Sequence, residues 1–228
     1  MEDRRNMKEN YPIDVVVLWV DGSDEEWRKE KARYKGESAA CDSAARYRDW
    51  DNLQYLFRGI ERFWPWVNKV FLVTNGQRPK WLNEDCGRLR LVEHKDFMPA
   101  EHLPTFNSNA IELNLHRISD LSEHFVYMND DFFPIRPLPR TDFFRDGLPC
   151  DFAQLELLYS IKSKTGFNIE IMEFCNLGLL NNHFRKKNIC CWKNRRKWYG
   201  SYLGLGGILR NLDKWNQYFF TGFENRHS

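Results

Sequence analysis

The sequence predicts an α/β layered domain built on a largely parallel sheet, with helices on both faces. Three observations carry that expectation. Ile13-Asp14-Val15-Val16-Val17-Leu18-Trp19-Val20 is β-branched and shows no polar alternation after Asp14, the pattern of a strand buried on both faces. Leu53, Leu56, Phe57, Ile60, Phe63 and Trp64 recur at helical spacing and form one apolar stripe. Strand-like and helix-like segments then alternate as far as residue 131.

Taken in order, the first strand ends at Asp21-Gly22-Ser23-Asp24, where Ser23 or Asp24 can cap a polar helix running to about Lys35. Gly36 to Ala45 is small and polar and reads as a loop. Asp49 or Asp51 can cap the next helix, which Pro65 stops. Lys69 to Thr74 is a second strand closed by Asn75-Gly76, and Arg88 to Glu93 is a third. A loop rich in Pro, His and Asn spans Phe97 to Asn109. Ile111, Leu115 and Ile118 mark another helix, and Phe125-Val126-Tyr127-Met128 a fourth strand. Beyond residue 150 the periodicity weakens. We therefore divide the chain into an α/β domain, 1–150, and an irregular aromatic and basic extension, 151–228, that completes it.

Composition narrows the function. With 34 Lys+Arg against 32 Asp+Glu, the net charge of +2 argues against a general nucleic-acid binder, which needs a basic excess. The longest aliphatic-aromatic run, Val15 to Val20, is far shorter than the roughly 18 residues of a membrane span. The charged start MEDRRNMKEN has no apolar core of a signal peptide, so a cytoplasmic location is expected. The six cysteines form no CxxC pair, which speaks against structural zinc. No phosphate-binding GxxxxGK[ST] or GxGxxG motif is present.

Four segments carry possible chemistry. In open parallel sheets ligands bind outside the carboxyl ends of the strands. Asn129-Asp130-Asp131 lies just there. Adjacent carboxylates at a strand end repel unless a cation sits between them, and Mg²⁺ or Mn²⁺ suits such oxygen ligands together with substrate phosphates. A capping turn before Phe132-Phe133-Pro134 explains the same residues. Arg46-Tyr47-Arg48-Asp49 sets two guanidinium groups, suited to phosphate, beside a carboxylate. Asp49 reads as a helix cap, a metal ligand or a general base. Leu103 to Asn109 offers hydroxyls and amides ahead of a helix carrying Glu112, His116 and Arg117, and His116 is either an acid/base or an ordinary helical histidine. From His183 to Tyr199, seven basic residues with interleaved aromatics and no Asp or Glu suit a solvated face, an anionic membrane surface or a polyanionic acceptor.

Taken together, these segments resemble the Stealth proteins. Ile13 to Asp24 is similar to the first motif block of that family. Arg46-Tyr47-Arg48-Asp49, Trp66 to Gln77, Pro79 to Asn83, Leu103 to Ser108, Ile111-Glu112, His116-Arg117-Ile118, Leu121 to Phe125 and Asn129 to Phe132 are similar to the second, in order and spacing. The likeness covers residues 11–135. The family includes bacterial capsular-polysaccharide phosphotransferases and the animal enzyme that places N-acetylglucosamine-1-phosphate on lysosomal glycoproteins. The resemblance implies a glycosyltransferase-A-like, Rossmann-like domain. It also implies transfer of a sugar-1-phosphate from a nucleotide-diphosphate sugar to a polysaccharide or lipid-linked glycan hydroxyl, with Mg²⁺ or Mn²⁺.

Position by position, the resemblance makes Asp49 a catalytic carboxylate and Asn129, Asp130 and Asp131 the metal and diphosphate motif. It sets Trp19, Val20, Asp21 and Gly22 facing the nucleotide, joined by Arg46. Asn107, Ser108, His116 and Arg117 line the donor pocket. Arg48 or Arg117 then clamps phosphate oxygens, and Asp49 or His227 accepts the acceptor proton. The chain ends at Arg226-His227-Ser228, where the family's third block, built around His-x-Pro, opens, so the expectation is a truncated chain without the third and fourth blocks. Two other readings keep the same residues: a metal-dependent glycosyltransferase releasing nucleoside diphosphate, and a non-catalytic glycan-binding module. Peripheral attachment at the inner membrane face through 183–199 is a further expectation.

Overall fold

In the computed structural model, which describes residues 11–34 and 50–150 with a few further residues between 175 and 212, the valine-rich run forms strand β1, Ile13–Leu18. Helix α1 covers Glu25–Tyr34 and helix α2 Leu53–Phe63. Strands β2, Val70–Thr74, and β3, Leu89–Glu93, follow, then the short helix α3, Ser108–Glu112, and strand β4, His124–Asn129. The four strands make one parallel sheet in the order β3-β2-β1-β4. This is a Rossmann-like α/β arrangement. The chain divides into two compact units, 1–150 and 151–228. In the second, residues 204–209 are helical.

Strand geometry sends successive side chains to opposite faces, and two cores result. Val15, Val17, Trp19 and Leu72 pack with Leu53, Leu56 and Ile60 of α2 on one face. Val16, Phe71, Val73 and Val92 pack with Phe97, Met98, Ile111, Leu115 and Ile118 on the other. The second cover is less helical than its apolar spacing predicts. α3 stops at Glu112, and Leu115–Arg117 is a separate 3₁₀ turn. The Asn114 side chain donates to the Ala110 carbonyl at 2.8 Å, a local bond that competes with continuation of the helix.

Capping also differs from expectation at one of two helices. Asp24 caps α1, its Oδ1 accepting from Glu26 N at 2.8 Å and Trp27 N at 3.2 Å. Asp51 does not cap α2. It takes a positive φ of 51°, and Asn52 is the N-cap residue, with no side-chain cap bond. Asp49 lies outside the described residues, as does the 36–45 loop.

Two features hold the loop that follows β4. The Trp66 indole donates to the Leu138 carbonyl at 2.7 Å. Gly59 in α2 lies against Pro134, so close that an added Cβ would stand 2.7 Å from the Pro134 carbonyl oxygen. Gly59→Ala ordinarily gains about 1 kcal/mol of helix propensity. Here that gain is opposed by a backbone clash costing about 1–3 kcal/mol. The expected outcome is a net loss of stability in urea unfolding; a gain would contradict the close approach.

Farther along, Phe144–Arg145 and Leu148–Pro149 form a two-stranded antiparallel hairpin, β5 and β6. Its tip is Asp146-Gly147, both residues at positive φ, as a tight hairpin turn demands. His124 stacks on Tyr11 at 4.1 Å and its Nε2 meets the Gly147 carbonyl at 3.0 Å, fastening the hairpin to the start of β4.

Candidate functional site

The strand order reverses between β1 and β4, because the chain moves outward from β1 through β2 to β3 and then returns to β4 on the other side. Such a switch point leaves a crevice at the carboxyl ends. A cleft opens there. Its floor and walls are Leu18, Trp19 and Val20 at the end of β1, Val73 and Asn75 at the end of β2, His94 after β3, and Tyr127, Asn129 and Asp130 at the end of β4. Trp27 of α1 and the segment Thr105, Phe106, Ser108 and Ile111 complete it.

Register fixes which groups meet. Leu18 pairs with Asn129 at the last rung, and beyond it Trp19, Val20 and Asp130 all line the cleft. Asn129 is oriented from behind: the Tyr127 hydroxyl lies 2.8 Å from its Oδ1 and 3.1 Å from Glu112 Oε1 of α3. Burial, reinforced by the Glu112 carboxylate, holds the Tyr127 phenol above its ordinary range. It is therefore a proton donor throughout neutral pH, serving one of its two acceptors at a time.

The loop after β1 is tied to the loop after β2. Asp21 N donates to Gln77 Oε1 at 2.8 Å, and Gln77 Nε2 donates to the Asp21 carbonyl at 3.0 Å and to Asp24 Oδ2 at 3.1 Å. The Gln77 amide is the main reason the Asp24 carboxyl sits below the usual carboxylate range. Asp21 itself closes a turn, its Oδ1 accepting from Ser23 N at 2.8 Å and Ser23 Oγ at 2.5 Å.

These facts sort the expected site residues. Trp19, Val20, Ser108, Asn129 and Asp130 share the cleft. Trp19 contributes to the lining, but its ring belongs to the α2-side core. Asp21 and Gly22 form the adjoining turn and are not among the lining residues. Asn107 is the N-cap of α3, with Oδ1 held by Asn109 N at 3.1 Å. His116 and Arg117 are exposed on the 3₁₀ turn that follows α3 and are not among the residues that line the cleft. Asp131 is exposed at the rim. Arg46, Arg48, Asp49, His227 and the 183–199 basic segment (apart from His183, Lys193 and Arg196) lie outside the described residues.

Among the described residues no three His, Cys, Asp or Glu side chains converge as a ready-made metal cage. The donor set at this end is a pair of carboxylates, Asp130 and Asp131, beside an amide oxygen. That set is chemically suited to Mg²⁺ or Mn²⁺, which use few carboxylates and complete their shell with water and phosphate oxygens. It fits a cation that arrives with a diphosphate.

Three lining residues escape a reading of the sequence. Trp27 is the one buried side chain of α1 and meets Phe106 edge to face at 5.8 Å. A lone Trp in an otherwise charged helix is the available signal. Asn75 and His94 carry no signal beyond their positions just after strands. Burial pushes the His94 imidazole from the usual 6.5 down to about 4, against the opposing charge of Glu93. The folded state thus binds fewer protons than the unfolded state between those values, and stability falls as pH drops through that window. The full loss is on the order of 3 kcal/mol. Urea unfolding at pH 7 and pH 4.5 should show a smaller pH effect in His94→Gln than in the native chain; equal slopes would contradict the burial.

Conserved region 2 of the Stealth proteins matches residues 46–150, and conserved region 1 matches residues 11–39. A capsular polysaccharide phosphotransferase, WcwK, from Streptococcus pneumoniae is 41% identical over 94% of this chain and 64% of its own length. The capsular polysaccharide phosphotransferase CpsJ of Streptococcus thermophilus is 47% identical over 68% of each chain. The exopolysaccharide phosphotransferase cps2G of Lactiplantibacillus plantarum is 42% identical over 95% of this chain and 62% of its own. The chain thus spans somewhat under two thirds of the length of several of these relatives. Among the described residues, no helix is long and apolar enough to cross a membrane.

Proposed function

Because the chain belongs to the Stealth family, we propose that it is a sugar-phosphate transferase of capsular or exopolysaccharide synthesis. It takes a hexose-1-phosphate from a nucleotide-diphosphate sugar and places it on a glycan hydroxyl, releasing nucleoside monophosphate. The observation that carries this reading is the switch-point cleft, in which Asn129 and Asp130 stand beside the end of β1. Relatives that cover most of this chain are named phosphotransferases of capsular, receptor and exopolysaccharides.

In this reading the nucleotide lies across the strand ends, with its diphosphate at Asp130 and Asp131. Those carboxylates would hold Mg²⁺ or Mn²⁺, which would supply charge compensation for the diphosphate oxygens. Tyr127 keeps Asn129 turned towards the diphosphate. The acceptor hydroxyl oxygen attacks the phosphorus next to the sugar, the bond from that phosphorus to the bridging oxygen breaks, and that oxygen leaves with the nucleoside monophosphate. The hydroxyl proton goes to Asp49 or His227, and Arg48 steadies phosphate oxygens; these assignments rest on the motifs that contain them. Such a transfer depends on positioning and charge stabilisation more than on covalent chemistry. We place the reaction in the cytoplasm at the inner membrane face, where a lipid-linked glycan acceptor is presented.

The test is anion-exchange analysis of nucleotide products with Mg²⁺, UDP- and CDP-sugars and glycan acceptor fragments. Acceptor-dependent nucleoside monophosphate is the expected product. Nucleoside diphosphate would mark an ordinary glycosyltransferase, and metal-independent glycan binding without either product would mark a binding module.

A further inference from the structure

Asn75 is the first residue beyond β2 and His94 the first beyond β3. Thr74 and Glu93 are paired in register, so Asn75 and His94 are neighbours across the sheet end, and both line the cleft. The Asn75 Oδ1 is buried and has no hydrogen-bond donor among the described residues. Buried polar atoms in folded proteins are nearly always paired, and one without a protein partner is left for a water or a ligand. The cleft beside it is walled by aromatic rings, Trp27 against Phe106, a setting for a flat ring that stacks.

The geometry points to Asn75 as the residue that reads the donor's base, its Oδ1 accepting the N3–H of a uracil ring while His94 donates to a flanking ring carbonyl. This rests on the reading of the cleft as a nucleotide site. Uracil is selected by pattern. Its edge carries a central N–H between two carbonyl oxygens, so a central acceptor flanked by donors complements it. The Asn75 amide supplies the acceptor and, through Nδ2, one donor; the neutral His94 ring supplies the other. Cytosine presents a ring nitrogen acceptor at the same central place, which would face Oδ1 lone pair to lone pair. The position along the sheet also suits a nucleotide. Neighbouring strands lie about 4.8 Å apart, so Asn75 at the end of β2 stands roughly 10 Å from the end of β4, two strands away. That leaves room for ribose and phosphates between a base at Asn75 and a diphosphate at Asp130.

Calorimetric titration of the intact protein with UMP, N3-methyl-UMP and CMP tests this without requiring turnover. UMP is expected to bind at least about tenfold more tightly than either of the others. Asn75→Leu should erase that preference, and Asn75→Asp, which keeps an acceptor, should retain discrimination against the N3-methyl group. Equal affinities for UMP and N3-methyl-UMP in the native protein would overturn the assignment of Asn75 even if sugar-phosphate transfer is observed. A UMP preference that depends on Asn75, with no transfer to any acceptor, would leave the base site standing and sink the proposed activity. No binding of any of the three would overturn both. The comparison of UMP with its methylated form uses only the native protein, so it survives any folding defect in the variants.

Discussion

Asp130→Ala is expected to cut sugar-phosphate transfer about a thousandfold while leaving unfolding stability within about 1 kcal/mol. The physical reason is location. Asp130 lines the cleft where β1 and β4 part, next to an Asn129 oriented by Tyr127 and, through it, by Glu112. In the proposed mechanism Asp130 helps to hold the diphosphate's counter-ion, and its removal would cost several kcal/mol of transition-state charge stabilisation. Asp131, exposed at the rim and outside the lining, should matter less, by about tenfold. The comparison is made by initial rates at saturating Mg²⁺. Equal losses in the two variants would mean that the pair acts as one unit; a larger loss at Asp131 would contradict the placement of the diphosphate.

Asp14→Ala should be the most damaging single change to the fold, costing about 3–5 kcal/mol, a large share of the roughly 5–15 kcal/mol that holds a typical domain folded. Asp14 is 0% exposed and sits near the start of β1. Its Oδ1 accepts from Asn68 Nδ2 at 2.9 Å and Lys69 N at 3.0 Å, and its Oδ2 accepts from Ser122 N at 2.8 Å. One carboxylate thereby fastens the entrances of β2 and β4 to β1. Alanine would strand the backbone donors of half-buried Lys69 and Ser122 and one side-chain donor. The substitution Asp14→Asn keeps one acceptor oxygen and should lose less. Urea unfolding measures both, and a loss below about 1 kcal/mol for alanine would contradict the staple.

The parallel sheet is legible in the sequence because buried parallel strands leave an unbroken apolar run, and Val15-Val16-Val17-Leu18 is one. The end of β4 is legible as a site because Asn129-Asp130-Asp131 follows an apolar strand directly. Asp14 reads only as the polar start of the first run, since its partners are as far as Ser122 in sequence. Gln77 stays hidden for the same reason: its reciprocal bonds with Asp21 span 56 residues. The break after α3 is hidden because the helical spacing of Ile111, Leu115 and Ile118 suggests one continuous helix, whereas α3 stops at Glu112 and a separate 3₁₀ turn follows. The β5–β6 hairpin escapes notice although Asp146-Gly147 is a strong turn signal, because its strands are only two residues long.

The central claim is that the phosphorus next to the sugar, not the sugar carbon, is the atom attacked. Phosphorus-31 NMR of the glycan product tests it most directly. The account predicts a phosphodiester resonance that remains with the acceptor after the nucleotides are removed. A glycan product that carries the sugar but no phosphorus would contradict it.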